Sequence, residues 1–362
     1  MLPDCIAAAE SPSVSTGAIA EIGASVARTS RRYLPFGLRS SARYNRLVAK
    51  ARAHGGLTGR SRRWHSSGAT MGGIMAQFSE HTLTDAVIER LAESDDPRFK
   101  AVMTALIRHL HDFVREVELT EAEWMTAIRF LTEVGQTCTD KRQEFILLSD
   151  TLGVSILVDA LNHRAPSGAV ESTILGPWYV ADAPELPLGA DIANGAEGEP
   201  TFYSGRLLTL AGEPIMGGVL DVWSGDGAGF YDMQMPDQSE LLCRGKFRTD
   251  AEGRYWFRSI RPSYYPVPTD GPVGRMLRKM GRHPNRPGHI HMIVSAPGHE
   301  TVVTHLFVAG APYLDSDAVF AVKDSLIVDF EKHAPGVAPT GEVMDVPFYT
   351  CEYDFRLAPA AG

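Results

Sequence analysis

Between Glu80 and about Asn162 apolar residues recur every three to four positions, and after Gly168 that period disappears. Phe99, Val102, Met103, Leu106, Leu110, Phe113, Val114 and Val117 trace one face of a helix, opened by Asp96 as N-cap and Pro97 at the first helical position. A shorter helix over Thr82 to Ala92 precedes it. Thr120-x-x-Glu123 is a capping box ahead of Trp124, Ile128, Phe130 and Leu131, and a fourth helix is predicted over Lys141 to Asn162. Such apolar faces must bury against a sheet or another subunit. His109 and His111 within the second helix read as ordinary surface residues. Beyond Gly168, short β-rich runs alternate with Pro/Gly turns: Phe202–Leu210, Gly218–Trp223, Lys246–Arg248, Tyr255–Ile260, His289–Ser295, Thr301–Val308, Ser325–Phe330 and Val346–Arg356. The fold class expected is mainly β: an antiparallel β-sandwich catalytic domain over residues 169–358, preceded by an α-helical domain over 80–168.

Charge separates a further segment. Residues 1–79 hold eleven Arg/Lys against three Asp/Glu, leaving 24 against 41 in the remainder, and no acidic residue lies between Glu21 and Glu80. A transit peptide, a basic arm for nucleic acid, and translation from an upstream start with Met71 or Met75 as the working initiator all fit that composition. Residues 1–75 are expected to be a disordered extension outside the fold, with the misplaced start favoured over targeting. The acidic body argues against nucleic acid as the main partner. No apolar stretch reaches the roughly 20 residues of a membrane helix. Cys5, Cys138, Cys243 and Cys351 are scattered, with no Cys-x-x-Cys pair, which fits a reducing compartment and a cytoplasmic location.

Chemistry concentrates between Arg286 and Met292. His289 and His291 are two apart in the apolar run His-Ile-His-Met-Ile-Val, so on a strand both imidazoles share a face and can ligate one metal ion. A bare His-x-His is as often a pair that packs or faces solvent. Two aromatic turns precede it, Gly229-Phe230-Tyr231 and Ser263-Tyr264-Tyr265-Pro266. Tyrosine seldom binds metals because its proton leaves near pH 10 in water, but a hard trivalent cation displaces that proton. A Tyr/Tyr/His/His set points to Fe(III), although buried tyrosine is usually core. A zinc hydrolase built on the His pair lacks a nearby acidic third ligand. A non-catalytic binding sandwich predicts the loss of at least one ligand.

These residues resemble the intradiol ring-cleaving dioxygenases, from about Thr82 to Phe355. The resemblance is carried by Gly176-Pro177-Trp178-Tyr179-Val180, Gly229-Phe230-Tyr231, Arg258-Ser259-Ile260 leading to Tyr265, Asp270-Gly271-Pro272, Gly281-Arg282-His283 and Arg286-Pro287-Gly288-His289-Ile290-His291. It implies Fe(III) held by Tyr231, Tyr265, His289 and His291, with Arg286 stabilising charge on the substrate ring and Tyr265 releasing the metal to act as a base. Tyr265 rather than Tyr264 keeps the spacing to the Asp270-Gly271-Pro272 turn. Tyr179 is expected to pack or line the mouth of the site. The resemblance also implies a homodimer through the N-terminal helices, with room for phospholipid acyl chains between subunits.

Within that family the chain is similar to the hydroxyquinol 1,2-dioxygenase branch. Lys141 to Asp150, Thr304-His305-Leu306-Phe307-Val308 and Pro312 to Phe320 carry the similarity. Pocket positions of the branch fall on Leu147, Asp150, Ile174, Leu175, Gly176, Arg286 and Val319. Asp150 is the informative one, because a carboxylate can accept a hydrogen bond from the third hydroxyl of hydroxyquinol (benzene-1,2,4-triol). A helix-surface ion pair is the other use for an aspartate there. The implied activity is cleavage of hydroxyquinol with O2 to 3-hydroxy-cis,cis-muconate, the tautomer of maleylacetate. Catechol or a chlorocatechol is the alternative substrate.

Overall fold

The computed structural model describes residues 78–139, 141–235 and 241–360. The expectation for residues 1–75 lies outside them. The first helix, α1 (Leu83–Glu89), leads to α2 (Pro97–Glu116), where the Asp96 carboxylate accepts the Phe99 N–H at 2.9 Å. Next comes α3 (Glu121–Thr137), opened by a reciprocal capping box between Thr120 and Glu123. The single helix predicted over Lys141 to Asn162 is instead two, α4 (Glu144–Thr151) and α5 (Val154–Asn162). Gly153, at φ 75°, ends the first and starts the second. The apolar face of α2 stays open in the chain: Phe99, Leu106, Leu110 and Phe113 are each half exposed.

Fourteen strands follow among the described residues: β1 (Pro200–Thr209), β2 (Val219–Trp223), β3 (Arg244–Arg248), β4 (Arg254–Ile260), β5 (Tyr265–Pro266), β6 (Asn285–Arg286), β7 (His289–Ser295), β8 (Val302–Val308), β9 (Ile327–Val328), β10 (Glu331–His333), β11 (Gly336–Val337), β12 (Val343–Met344), β13 (Phe348–Glu352) and β14 (Phe355–Leu357). One five-stranded sheet runs β3-β2-β7-β8-β9; another joins β10, β13, β1 and β14, with β4 also paired to β1. A single hydrophobic cluster draws on both, including Leu220, Val222, Ile290, Met292 and Leu306 from the first and Tyr203, Leu207, Tyr255 and Phe257 from the second. Phe247 on β3 stacks on Phe257 on β4 with ring centres 4.8 Å apart.

The antiparallel expectation needs correction. β1 runs parallel to β13 and β14, and β8 runs parallel to β9. Parallel neighbours require a long crossover rather than a hairpin, and β1 is separated from β13 by the whole of the other sheet. The run Ser325–Phe330 is a 3-10 turn (Asp324–Leu326) and a two-residue strand, and Val346–Arg356 divides into β13 and β14. A helix not anticipated, α6 (Pro272–Lys279), lies between β5 and β6. It anchors α4. Buried Glu144 accepts the Val273 N–H at 3.1 Å, while Arg142 bonds both Glu144 and Asp270.

Candidate metal centre

Strand register assembles the centre. On central strand β7, His291 lies opposite Trp223 of β2 on one side and opposite His305 of β8 on the other. His289 follows two positions earlier on the same face, so three histidines meet: His289, His291 and His305 offer nitrogens all within 4.8 Å of one another, and all are buried. The two-stranded pairing of β5 with β6 sets Tyr265 opposite Arg286. Tyr231 arrives from the loop after β2, folded by Asp226, whose carboxylate accepts the Ala228 and Phe230 N–H groups. Gly229 permits the close approach: a Cβ there would sit 2.8 Å from the Tyr265 Cβ, at φ 88°.

The distances define a knot of donor atoms. His289 Nε2 is 3.2 Å from His291 Nε2, which is 3.0 Å from the Tyr231 hydroxyl. Rings of Tyr231 and Tyr265 are 5.4 Å apart, and those of Tyr265 and His289 are 5.6 Å apart. His289 Nδ1 lies 2.7 Å from the Pro287 carbonyl, which can only accept, so the proton is on Nδ1 and a lone pair on Nε2 faces the knot. Burial pushes both His289 and His291 well below the usual imidazole range, keeping them neutral. Burial likewise raises Tyr231 well above pH 10, with Tyr265 adding to the rise. Neutral imidazole lone pairs and two phenols in one buried place form a donor set that suits a hard cation, which supplies the charge that burial denies the phenolates.

The neighbouring tyrosine lies elsewhere. Tyr264 is nearly half exposed and its ring meets Tyr313.

Arg286 is buried beside the knot. Its Nη1 donates to His289 Nε2 at 3.1 Å and lies 3.5 Å from the Tyr265 hydroxyl. Desolvation opposes its charge, but Asp317 and the two tyrosines more than offset that, and its pKa is raised overall. Its partner is Asp317, within the Pro312 to Phe320 stretch. It holds Arg286 through Nε at 3.1 Å and Nη2 at 3.4 Å, and also accepts the Val319 and Ala321 N–H groups.

Of the predicted pocket positions, Gly176 touches the His291 ring, since an added Cβ would lie 2.9 Å from Cε1. Leu147 and Ile174 pack on the main core and Val319 is buried in it, whereas Leu175 is exposed. Asp150 is buried on α4 and forms no ion pair among the described residues, so no helix-surface pair is seen there. Burial raises its pKa, against the Ser155 hydroxyl and the charge of Arg286, which lower it. Asp150 therefore lies within electrostatic reach of Arg286.

Sequence reasoning assigned no role to Trp223, Arg244, Asp232 or His305. Trp223 stacks on His291, and Tyr179 packs on Trp223 while its hydroxyl donates to Asp221 at 3.1 Å. Arg244 and Asp232 form a buried bidentate ion pair behind Tyr231. His305 hydrogen-bonds the Thr173 hydroxyl through Nδ1, leaving Nε2 with no hydrogen-bond partner among the described residues. A signal for His305 was present. A hairpin centred on Gly298, within Pro297-Gly298, pairs residues whose numbers sum to a constant, which sets His305 opposite His291.

Residues 174–359 match the dioxygenase family model, and residues 96–170 match the catechol dioxygenase N terminus. The chain belongs to the intradiol ring-cleaving dioxygenases, a family of iron-dependent enzymes. It is 55% identical over 287 residues to hydroxyquinol 1,2-dioxygenase of Rhizobium sp. (strain MTP-10005), covering 78% of this chain and 96% of that protein. It is 48% identical to 6-chlorohydroxyquinol 1,2-dioxygenase of Cupriavidus pinatubonensis, covering 79% and 99%. The crystal structure of hydroxyquinol 1,2-dioxygenase from Pseudomonas putida DLL-E4 matches with a TM-score of 0.74 at 46% identity, over 78% of this chain and 99% of that one. Catechol 1,2-dioxygenase from Pseudomonas arvilla C-1 matches with a TM-score of 0.68 at 30% identity, over 78% and 92%. Among the described residues, no helix is long and apolar enough to cross a membrane.

Proposed function

We propose that the chain cleaves hydroxyquinol between its adjacent hydroxyl-bearing carbons, inserting both atoms of O2 to give 3-hydroxy-cis,cis-muconate. The observation that carries the substrate is Asp150, a buried, ion-unpaired carboxylate within the field of Arg286. Tyr231, Tyr265, His289 and His291 would hold Fe(III). Bound there, ferric iron draws electron density from a chelated diol, so the ring itself becomes reactive towards O2 without an external reductant.

The protein groups divide the remaining work. Tyr265 is the least enclosed of the four and its hydroxyl lies 3.5 Å from Arg286 Nη1, so as a phenolate held by that charge it would be placed to take a proton from one substrate hydroxyl. Arg286, fixed by Asp317, presents positive charge where negative charge gathers on the ring carbon. Asp150 accepts the third hydroxyl, and Leu147, Ile174, Leu175, Gly176 and Val319 enclose the ring. Catechol offers no group to that carboxylate, and a desolvated, unpaired charge is costly.

The two five-stranded sheets would act as a sandwich carrying the chemistry, with the helices from residue 80 to 168 serving association. The open apolar faces of α2, α3 and α5 support a homodimer, with phospholipid acyl chains filling the space between subunits. The cysteines support a cytoplasmic location. The test of function is to supply purified, iron-loaded protein with hydroxyquinol while following O2 uptake and identifying the product. One O2 consumed per 3-hydroxy-cis,cis-muconate formed is expected. An extradiol product, or no O2 uptake, refutes the proposal.

A further inference from the structure

Arg282, in the Gly281-Arg282-His283 motif, touches neither the donor knot nor its tyrosines, yet it joins two walls of the candidate pocket. Its Nη1 donates to the Thr151 carbonyl and its Nη2 to the Ala318 carbonyl at 2.9 Å. Thr151 is the last residue of α4 and follows Asp150; Ala318 lies between Asp317, which holds Arg286, and Val319. The Thr151 carbonyl belongs to a helix C-terminus, where no further turn supplies an N–H and a cation is favoured. Below the guanidinium lies the Phe320 ring, 4.7 Å from centroid to Cζ. Phe320 has φ 59°, and its ring stands 3.5 Å from where a Cβ on Gly153 would lie, at the break between α4 and α5. One planar fork and one ring thus connect the end of α4 to the 317–320 loop.

We propose that Arg282 is a positioning residue for substrate selection, setting the separation between the Asp150 wall and the wall formed by Val319 and the Asp317–Arg286 pair. This inference rests on the pocket assignment above. A guanidinium donates to two carbonyls in a fixed planar geometry, whereas an ammonium is a compact charge with rotatable donors on a flexible stem and does not fix the separation between two acceptors. Loss of the bridge lets α4 and the loop drift relative to each other, and misplacement by about 1 Å at a distance from the chemistry is enough to cost rate or affinity.

The test compares the full, iron-loaded chain with its Arg282→Lys and Phe320→Leu variants. Specificity constants are measured for hydroxyquinol and catechol. Anaerobic dissociation constants for both diols are read from the visible absorption change on binding. Arg282→Lys should lower the hydroxyquinol-to-catechol ratio about tenfold, mainly through KM and the anaerobic Kd, with the resting absorption band unmoved. Phe320→Leu should act in the same direction more weakly, and it decides alone if Arg282→Lys does not fold. An unchanged ratio in the folded variants, or a shifted resting band, overturns the proposal. Asp150→Ala run in parallel separates the two readings. If it collapses the ratio while Arg282→Lys does not, Arg282 has no positioning role and the substrate reading stands. If Arg282→Lys lowers the ratio and Asp150→Ala does not, positioning acts through the Val319 wall and the Asp150 assignment fails.

Discussion

The indole of Trp223 lies flat against the imidazole of His291, with ring centres 4.8 Å apart and planes 12° from parallel. Gly176 also closes on that ring, where an added Cβ would come within 2.9 Å of Cε1. The ring is held by contact with both. Gly176→Ala therefore has to displace it, and the backbone there, at φ 77°, also disfavours a side chain. The variant should bind less iron per chain and lose about a hundredfold in kcat/KM, in line with the cost of a 1 Å misplacement. Metal analysis beside steady-state rates checks this, and full iron content with undiminished turnover would refute it.

The two adjacent tyrosines should behave differently. With Tyr231 and Tyr265 as the proposed phenolate ligands of Fe(III), the protein should be red to purple through charge transfer from tyrosinate to iron. Tyr265→Phe should shift that band and slow turnover sharply, because Tyr265 is buried against Tyr231 and His289. Tyr264→Phe should do neither, since its ring packs on Tyr313. Absorption spectra of the two variants decide the matter, and the reverse pattern would move the ligand by one residue.

Asp317→Ala leaves the Arg286 guanidinium buried and unpaired, and removes the acceptor for two backbone N–H groups. Breaking a buried pair from one side costs about 3–5 kcal/mol. Chemical denaturation should show a loss of that size, together with reduced turnover because Arg286 is no longer fixed. A loss below about 1 kcal/mol, the scale of an exposed pair, would show that Asp317 is not needed to hold Arg286.

The apolar faces of the first helices call for a partner. Phe99, Leu106, Leu110 and Phe113 of α2, Trp124 of α3 and Leu157 and Leu161 of α5 are about half exposed. An exposed apolar stripe of that length marks an interface. Sedimentation at micromolar concentration should give twice the chain mass; a monomer would contradict the assigned role of these helices.

Much of this was legible in the sequence because it depended on local rules. The caps at Asp96 and Thr120, the His289/His291 strand and the Gly229 turn each obey constraints that act over a few residues. What was missed depends on pairing across distance. His305 requires the β7–β8 register to be drawn about Gly298, a step beyond any local rule, and Asp317 emerges only once its loop is laid against Arg286. The break at Gly153 was overlooked because the apolar period runs on through it from Leu152 to Val154. Helix α6 was legible in retrospect: Pro272 stands at its first position, and Val273, Met276 and Leu277 share a face.

The most direct test of the substrate assignment is the specificity of Asp150→Ala. A charge-assisted hydrogen bond from the third hydroxyl is worth roughly 1.5–3 kcal/mol, about a tenfold to hundredfold preference. The variant's kcat/KM for hydroxyquinol should fall by about that factor, while catechol loses far less because it makes no bond there. Leu147→Ala serves as the control, opening the same wall without touching the carboxylate, and should leave most of the preference in place. Equal losses on both substrates in Asp150→Ala would contradict the assignment and show that Asp150 supports the fold or the metal centre instead.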